Sequence, residues 1–464
     1  MKDFMRKALA ILLLCSLIVI FASCKKDPPT SDGGSLDNDS VTPEIADNQP
    51  EDKENVPDDN EDPIEEIVYT EGLSYSLSND GTYYYVSVGE CTDNEYIAIP
   101  PEHEGLPVKV ISHDGFENCK KLKEVRLPSS LVAIYDFAFQ GCTALESIVI
   151  PKSVNQIAIG AFLDCTGLKQ VVFEEGSELI SISGFSGCKN LTEIDLPYGL
   201  QAIGHFAFVG CGFEEILIPE TVNGIGMLAF SGAKLKTITI PDSVEVIADS
   251  AFSGCNQLSN VKIGSGLKSL DEEVFSGCKA LQKIDIPFGI EKIGSRVFEN
   301  CTSLITVNFE EKAKIQKLDI SAFSYCESLE EINIPKSVTD IVSLGDGREI
   351  SACINIDPEN KAYKSIDGVI YSKDGKILYH VSGHRSGDAI RVADGTEGIS
   401  MFAMSYMTIS VLELPGSLKQ VFYFALLGAS VADVYYHGTA EQWQNVFVGS
   451  SNDALQNATI HFVE

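Results

Sequence analysis

The sequence predicts a β-rich solenoid: a stacked parallel sheet of 22–23-residue coils with short helical turns, an N-terminal hairpin cap and a C-terminal tryptophan cap. Three observations predict it. Ten phenylalanines (Phe116, Phe139, Phe162, Phe185, Phe208, Phe230, Phe252, Phe275, Phe298 and Phe323) recur at steps of 22 or 23 residues, with one last step of 25, and self-similarity at such a period marks a repeat array rather than one globular core. Between them the apolar residues keep one phase, Leu145-x-x-Ile148-x-Ile150-Pro151 in the clearest copy. The position two after each phenylalanine holds Asn118, Gly141, Asp164, Gly187, Gly210, Gly232, Gly254, Gly277, Asn300 or Tyr325. All but the last are residue types that tolerate positive φ, so a left-handed turn is expected there.

A stack of repeats lengthens without splitting into domains, so 464 residues need not mean several cores. The formal charge of −33 repels phosphate and argues against nucleic-acid binding. Residues 1–24 read as an address: Lys2, Arg6 and Lys7 precede an apolar run from Ala8 to Phe21, which is short for a membrane span, and Phe21-Ala22-Ser23-Cys24 closes it. This resembles a bacterial lipoprotein signal, although Phe21 stands where an aliphatic residue is usual. The resemblance implies a lipid-anchored protein with lipidation at Cys24, held at the bacterial cell envelope. Lys25 does not resemble the aspartate that retains some lipoproteins at an inner membrane, which favours an outward-facing place in the outer membrane or at the cell surface. A plain secretory signal or an uncleaved anchor is the alternative.

Residues 25–66 are rich in Asp, Glu, Pro, Ser and Asn. They cannot bury enough apolar surface to offset ordering entropy, so a disordered acidic tether is expected. The tether lacks the Gly-centred spacing of a calcium loop. Residues 67–110 read as an N-terminal cap and partial first repeat: Leu73 to Leu77 and Tyr83 to Val88 alternate about Asn79-Asp80-Gly81, a hairpin signal, and Tyr96 to Pro100 reads as a strand. Laid over the end of the stack, the hairpin would cover its first apolar layer. The tyrosines could alternatively form a sugar-stacking platform.

Residues 111–338 hold the repeats. Alternating β-branched residues read as a strand with Ile148 and Ile150 inward, and Pro151 ends it because proline cannot donate to a ladder. Phe173-Glu174 and Phe309-Glu310 lack that proline, and Ile263-Gly264 also departs, so these copies are expected to bulge or bend the stack. Cysteine follows at Cys119, Cys142, Cys165, Cys188, Cys211, Cys255, Cys278, Cys301 and Cys326, with Ala233 in the remaining copy. Coils roughly 4.8 Å apart would place these thiols in a one-sided ladder with no unique partner. They are therefore read as small buried residues rather than disulfides. No CxxC or nearby histidine suggests zinc. Cys91 and Cys353 fall outside the ladder.

The pattern L-x-x-I-x-I-P-x-S-V-x-x-I-x-x-x-A-F-x-G-C resembles the BspA-type leucine-rich repeat of bacterial surface proteins, also called the Treponema pallidum type, over roughly Leu73 to Glu464. The resemblance implies a leucine-rich-repeat solenoid. It also implies a cell-surface role, since some family members are adhesins for host matrix proteins or other bacteria.

Periodicity lapses over residues 339–398, where Gly368 to Ser372 and Ile377 to His380 flank Lys373-Asp374-Gly375-Lys376. This is read as an insertion with a β-hairpin that projects from the coil edge. His380 and His384 lack a nearby nucleophile and are read as surface residues. Residues 399–464 resume the phase through Ala403-Met404, Ile409 to Pro415 and Ala425-Leu426. Val431 to Tyr436 is read as the last full strand, and Trp443, the sole tryptophan, as a plug over the final coil.

No hydrolase, metalloprotease, P-loop or dinucleotide motif is present, so no catalytic residue, metal or cofactor is assigned and an enzyme is not expected. The candidate binding face consists of outward strand residues: Glu124, Arg126, Glu193, Asp195, Glu215, Leu217, Thr237, Thr239, Asn260, Lys262, Lys283, Asp285, Thr306 and Asn308, with Ser147, Val149, Gln170, Val172, Glu331 and Asn333 at equivalent positions. A protein partner on a host or neighbouring cell surface fits this face. A glycan-binding accessory lipoprotein is the alternative, although these positions offer no aromatic residue. An inert solvated face is the third possibility.

Overall fold

A computed structural model describes residues 67–342 and 350–463. The signal segment, Cys24 and the acidic tether lie outside the described residues.

Hydrogen bonds join neighbouring coils on three sides, continuously along the Ala-Phe side and in separate stretches of sheet on the strand and return sides. On the strand side, Ser147–Ile150 pairs parallel and in register with Gln170–Phe173, and the same register joins Thr237–Ile240 to Asn260–Ile263 and Lys283–Ile286 to Thr306–Phe309. Alternation places Ile148 and Ile150 in the core and leaves Ser147 and Val149 exposed. On the return side, Ser181–Ile182, Ala202–Ile203, Gly224–Ile225 and Val246–Ile247 form a four-stranded parallel sheet. The third set runs along the Ala-Phe side, where the Phe139 N–H donates to the Ala161 carbonyl at 2.7 Å and the Phe162 N–H to that of Gly184 at 2.8 Å. These phenylalanine N–H groups bond the next coil, so the expected helical turns do not form. The described repeats turn without helix except at the 3-10 segment Ile320–Phe323, where the Asp319 carboxylate accepts from the Ser321 N–H.

The ten phenylalanine rings stack in one unbroken column, with successive centroids 5.0–5.9 Å apart and planes within 21°. All are buried. Every position two residues after a ring has positive φ, Tyr325 included. A second left-handed column lies two residues before the ring, at Asp114, Phe137, Gly160, Phe206, Leu228, Ser250, Glu273 and Arg296. Most of these residue types have no preference for that region, so composition did not mark it.

The copies without proline do not bulge. Phe173 stays opposite Ile150 and Phe309 opposite Ile286, while the Glu174 and Glu310 N–H groups donate to the carbonyls of Ile150 and Ile286 at 3.0 and 3.1 Å. Absence of proline supplies a donor, and the ladder gains a rung. Ile263 likewise stays opposite Ile240. At the N-terminal end, Ser74–Leu77 pairs antiparallel with Tyr84–Ser87, which pairs parallel with Leu106–Ile111. The hairpin thus extends the return sheet edge to edge.

The hairpin of the insertion does not project. Cys353–Ile356 pairs in register with Glu331–Ile334 as an ordinary coil strand. Tyr363–Ile366, Val369–Ser372 and Ile377–Val381 then form an antiparallel meander whose last strand joins Gly398–Ile399 in the return sheet. Side-chain hydroxyls end the strand ladder: the Ile354 N–H donates to Ser382 Oγ at 3.3 Å and the Ile356 N–H to Ser365 Oγ at 2.8 Å. Val369–Ser372 has a core on each side. Ile370 packs into the apolar cluster that starts at Leu73, whereas Val369 and Tyr371 belong to a second cluster that runs on to Leu455. Apolar residues on both faces of a strand require this double burial.

The array also runs one coil further than the sequence suggests. Ser430–His437 is followed by Thr459–Phe462, paired parallel with Asp433 opposite Thr459. Trp443 stands on the helix Ala440–Gln444, half-buried, with its ring 5.1 Å from Tyr436. It therefore packs against the preceding strand while a further coil follows it.

Candidate functional site

The candidate residues share the strand side of the stack but not one environment. Glu124 and Arg126 are exposed on Glu124–Arg126, as are Asn260, Lys262, Lys283, Asp285, Asn308, Glu331 and Asn333 on their strands, whereas Thr237 and Thr306 are half-buried. In the later coils these groups satisfy one another. Lys283 pairs with Asp285 at 3.0 Å and Asn308 donates to Asp285 at 2.8 Å, which holds that carboxyl below its usual range.

The middle of the face differs. Glu193–Ile194 is a two-residue strand, and Glu215 and Leu217, expected on a strand, lie on none. Strand-side pairing is interrupted at other steps too, but between Glu193–Ile194 and Thr237–Ile240 a whole coil contributes no strand to this side, and among the described residues no backbone hydrogen bond is made by Glu215, Ile216, Leu217 or Ile218. The change falls where the connector shortens: Cys211-Gly212-Phe213 replaces Cys188-Lys189-Asn190-Leu191, one residue fewer. Phe213 takes the leucine place and sits edge-on to Phe208 and Phe230, at 5.6 and 6.3 Å. The Phe column and return sheet continue across this coil, so the opening is confined to the strand side. The result is a cleft of about 720 Å³ lined by Glu193, Asp195, Glu215, Glu220, Ile194, Leu217 and neighbouring strand residues, with no lysine or arginine in its lining. Leu217 is 82% exposed. The step from Phe208 to Phe230 is 22 residues, but so is the step from Phe230 to Phe252, whose coil keeps the strand Thr237–Ile240, so the shorter step did not by itself mark the break.

The cysteine ladder has a chemistry that residue spacing did not show. The Cys142 thiol donates to the Phe116 carbonyl at 3.1 Å, and Cys165, Cys188, Cys211, Cys255, Cys278, Cys301 and Cys326 each donate to a phenylalanine of the coil before. Burial pushes the thiols up, to about 12 at Cys255 and Cys326. Cys91 is also buried and donates to the Glu71 carbonyl at 3.0 Å. Since the thiolate is the reacting form, these residues should resist alkylation in the native state. Mapping of iodoacetamide adducts should find Cys353, the half-exposed one, labelled well before Cys278. Equal rates would refute the burial of the ladder.

Cys353 and His384 meet at Gly368, where an added Cβ would lie 2.6 Å from His384 Cε1 and 3.3 Å from Cys353 Sγ. Burial raises the thiol and lowers the imidazole, the reverse of what a thiolate–imidazolium pair needs. His380 is not a surface residue. It is buried, paired across the hairpin with Ile370, and neither ring nitrogen has a partner among the described residues. Among the described residues no group of three His, Cys, Asp or Glu is placed to hold a metal, and no helix is long and apolar enough to cross a membrane.

The family described as BspA type Leucine rich repeat region matches residues 109–235 and 223–344, in six copies. The chain belongs to this family. Among solved structures, this BspA-type chain is similar to a leucine-rich repeat protein from Bacteroides ovatus at 20% identity, covering 86% of this chain and 100% of that one with a TM-score of 0.46. It is similar to a leucine rich cell surface protein from Faecalibacterium prausnitzii at 20% identity, covering 82% and 97% with a TM-score of 0.38. The pneumococcal vaccine antigen PcpA is similar at 16% identity, covering 86% and 88% with a TM-score of 0.25. No curated protein matches.

Proposed function

We propose that this BspA-type protein is a cell-surface binding protein, an adhesin that meets host matrix or neighbouring-cell proteins through the strand side of its solenoid. Lipid on Cys24 would hold it to the envelope, with residues 25–66 as the tether. The observation that carries the reading is the run of outward side chains from Glu124 to Asn333, one pair per coil, mixing both charges with exposed Val149, Val172 and Leu217. An extended face of this kind suits a large partner.

Binding of the full chain to immobilised matrix proteins and to a glycan array tests it. Charge reversal at Lys262, Lys283 and Asp285 together should weaken capture of a matrix protein about tenfold, or 1.4 kcal/mol. Unchanged capture would remove the strand side as the binding face. Glycan capture lost on Tyr135→Ala would favour the sugar-binding alternative, whose support is the aromatic run Tyr83, Tyr85 and Tyr135, half-buried near the N-terminal end with Lys109 Nζ 5.8 Å from the Tyr83 ring.

A further inference from the structure

We infer that the break in the strand sheet at Glu215–Ile218 is a docking site for an extended, lysine- or arginine-bearing segment of a partner protein, which adds there as a strand. The inference deepens the surface-binding reading and rests on it. A sheet whose pairing lapses presents free N–H and C=O groups, and an incoming strand can use them. Here the unpaired segment lies in the cleft already described, between two separate strand-side sheets, one ending at Glu193–Ile194 and the other starting at Thr237–Ile240.

Two further properties select the occupant. Glu193, Asp195, Glu215 and Glu220 line the cleft without any basic side chain, and none of the four forms an ion pair among the described residues. The nearby Lys236 is held by Glu214 at 2.7 Å. Carboxylates left without counter-charge favour a cationic partner in both approach and register. Leu217 offers an apolar anchor between them, as alternating side chains of an added strand would require. A second copy docked symmetrically through the same cleft is a poor occupant, because it would set the same four carboxylates against each other.

The probe is a decapeptide that alternates lysine and valine, titrated against the full chain at low and high salt. A second peptide of the same sequence carries N-methyl groups on alternate amides, which keeps its charge but removes half its donors. The first peptide should bind at least tenfold more tightly than the second, and Glu215→Lys combined with Leu217→Lys should weaken the first at least tenfold. Both substituted side chains are exposed, so thermal unfolding should be unchanged. Equal binding of the two peptides would show attraction by net charge alone and would overturn the inference, as would unchanged affinity in the double variant. These results are separable from the broader reading. Matrix-protein capture that survives when the peptide fails to bind would sink the cleft and keep the adhesin, whereas peptide binding without any matrix or cell partner would sink the adhesin and keep the cleft.

Discussion

Phe230→Ala should destabilise the protein by about 3–5 kcal/mol, the range for deleting a fully buried aromatic ring. Phe230 stacks on Phe208 at 5.5 Å and on Phe252 at 5.1 Å, with the edge of Phe213 beside it. Its removal loses transfer energy and two stacking contacts, each of which contributes about 0.5–1.5 kcal/mol beyond burial. Neighbouring coils are held on the return side by paired strands and on the ring side by the N–H groups of Phe208, Phe230 and Phe252, so they cannot collapse into the hole and the cavity cost should be near its upper end. Phe323 ends the column and has one stacked neighbour, Phe298 at 5.8 Å. Phe323→Ala should therefore cost less. Urea unfolding of both variants decides the matter, and a smaller effect at Phe230 than at Phe323 would refute the column as the spine.

Acid should weaken the protein through His380. Burial pushes its imidazole down to about 4 from an ordinary value near 6.5. The unfolded chain therefore binds a proton that the native chain refuses between those values. Stability due to the neutral ring is fully present above pH 6.5 and is lost as pH falls towards 4, by about 3 kcal/mol at most. Carboxylates also titrate at the lower end of this window, so the comparison is with His380→Leu, which removes the imidazole and keeps an apolar group. Between pH 6.5 and 4.5 the parent should lose stability more steeply than the variant. Parallel pH profiles would show that His380 is hydrated or paired in solution.

Much of the coil could be read from the sequence because its determinants are periodic. Phe139, Ile148, Pro151 and Gly141 each recur in columns, and a column reports its own burial or backbone conformation. What escaped depends on contacts between coils. The thiol of Cys142 finds the carbonyl of Phe116 only after the coils stack. Phe137 and Leu228 adopt positive φ, and neither side chain advertises the fact. The missing residue between Cys211 and Phe213 was visible as a shorter step, yet its effect on pairing belongs to the adjoining strands. Cys353–Ile356 has the alternation of a coil strand but lacks the closing proline, and Val369–Ser372 reads as a plain hairpin until both of its faces are covered.

That doubly covered strand is a bulkhead between two apolar cores within one compact unit. Buried apolar side chains on either side of Val369–Ser372 fall in separate clusters, so disorder that begins in one core need not spread to the other. Heat capacity traces should then resolve two steps instead of one, with the smaller belonging to the C-terminal half. Loss of that half would leave the coils that carry Glu193 and Glu215 standing.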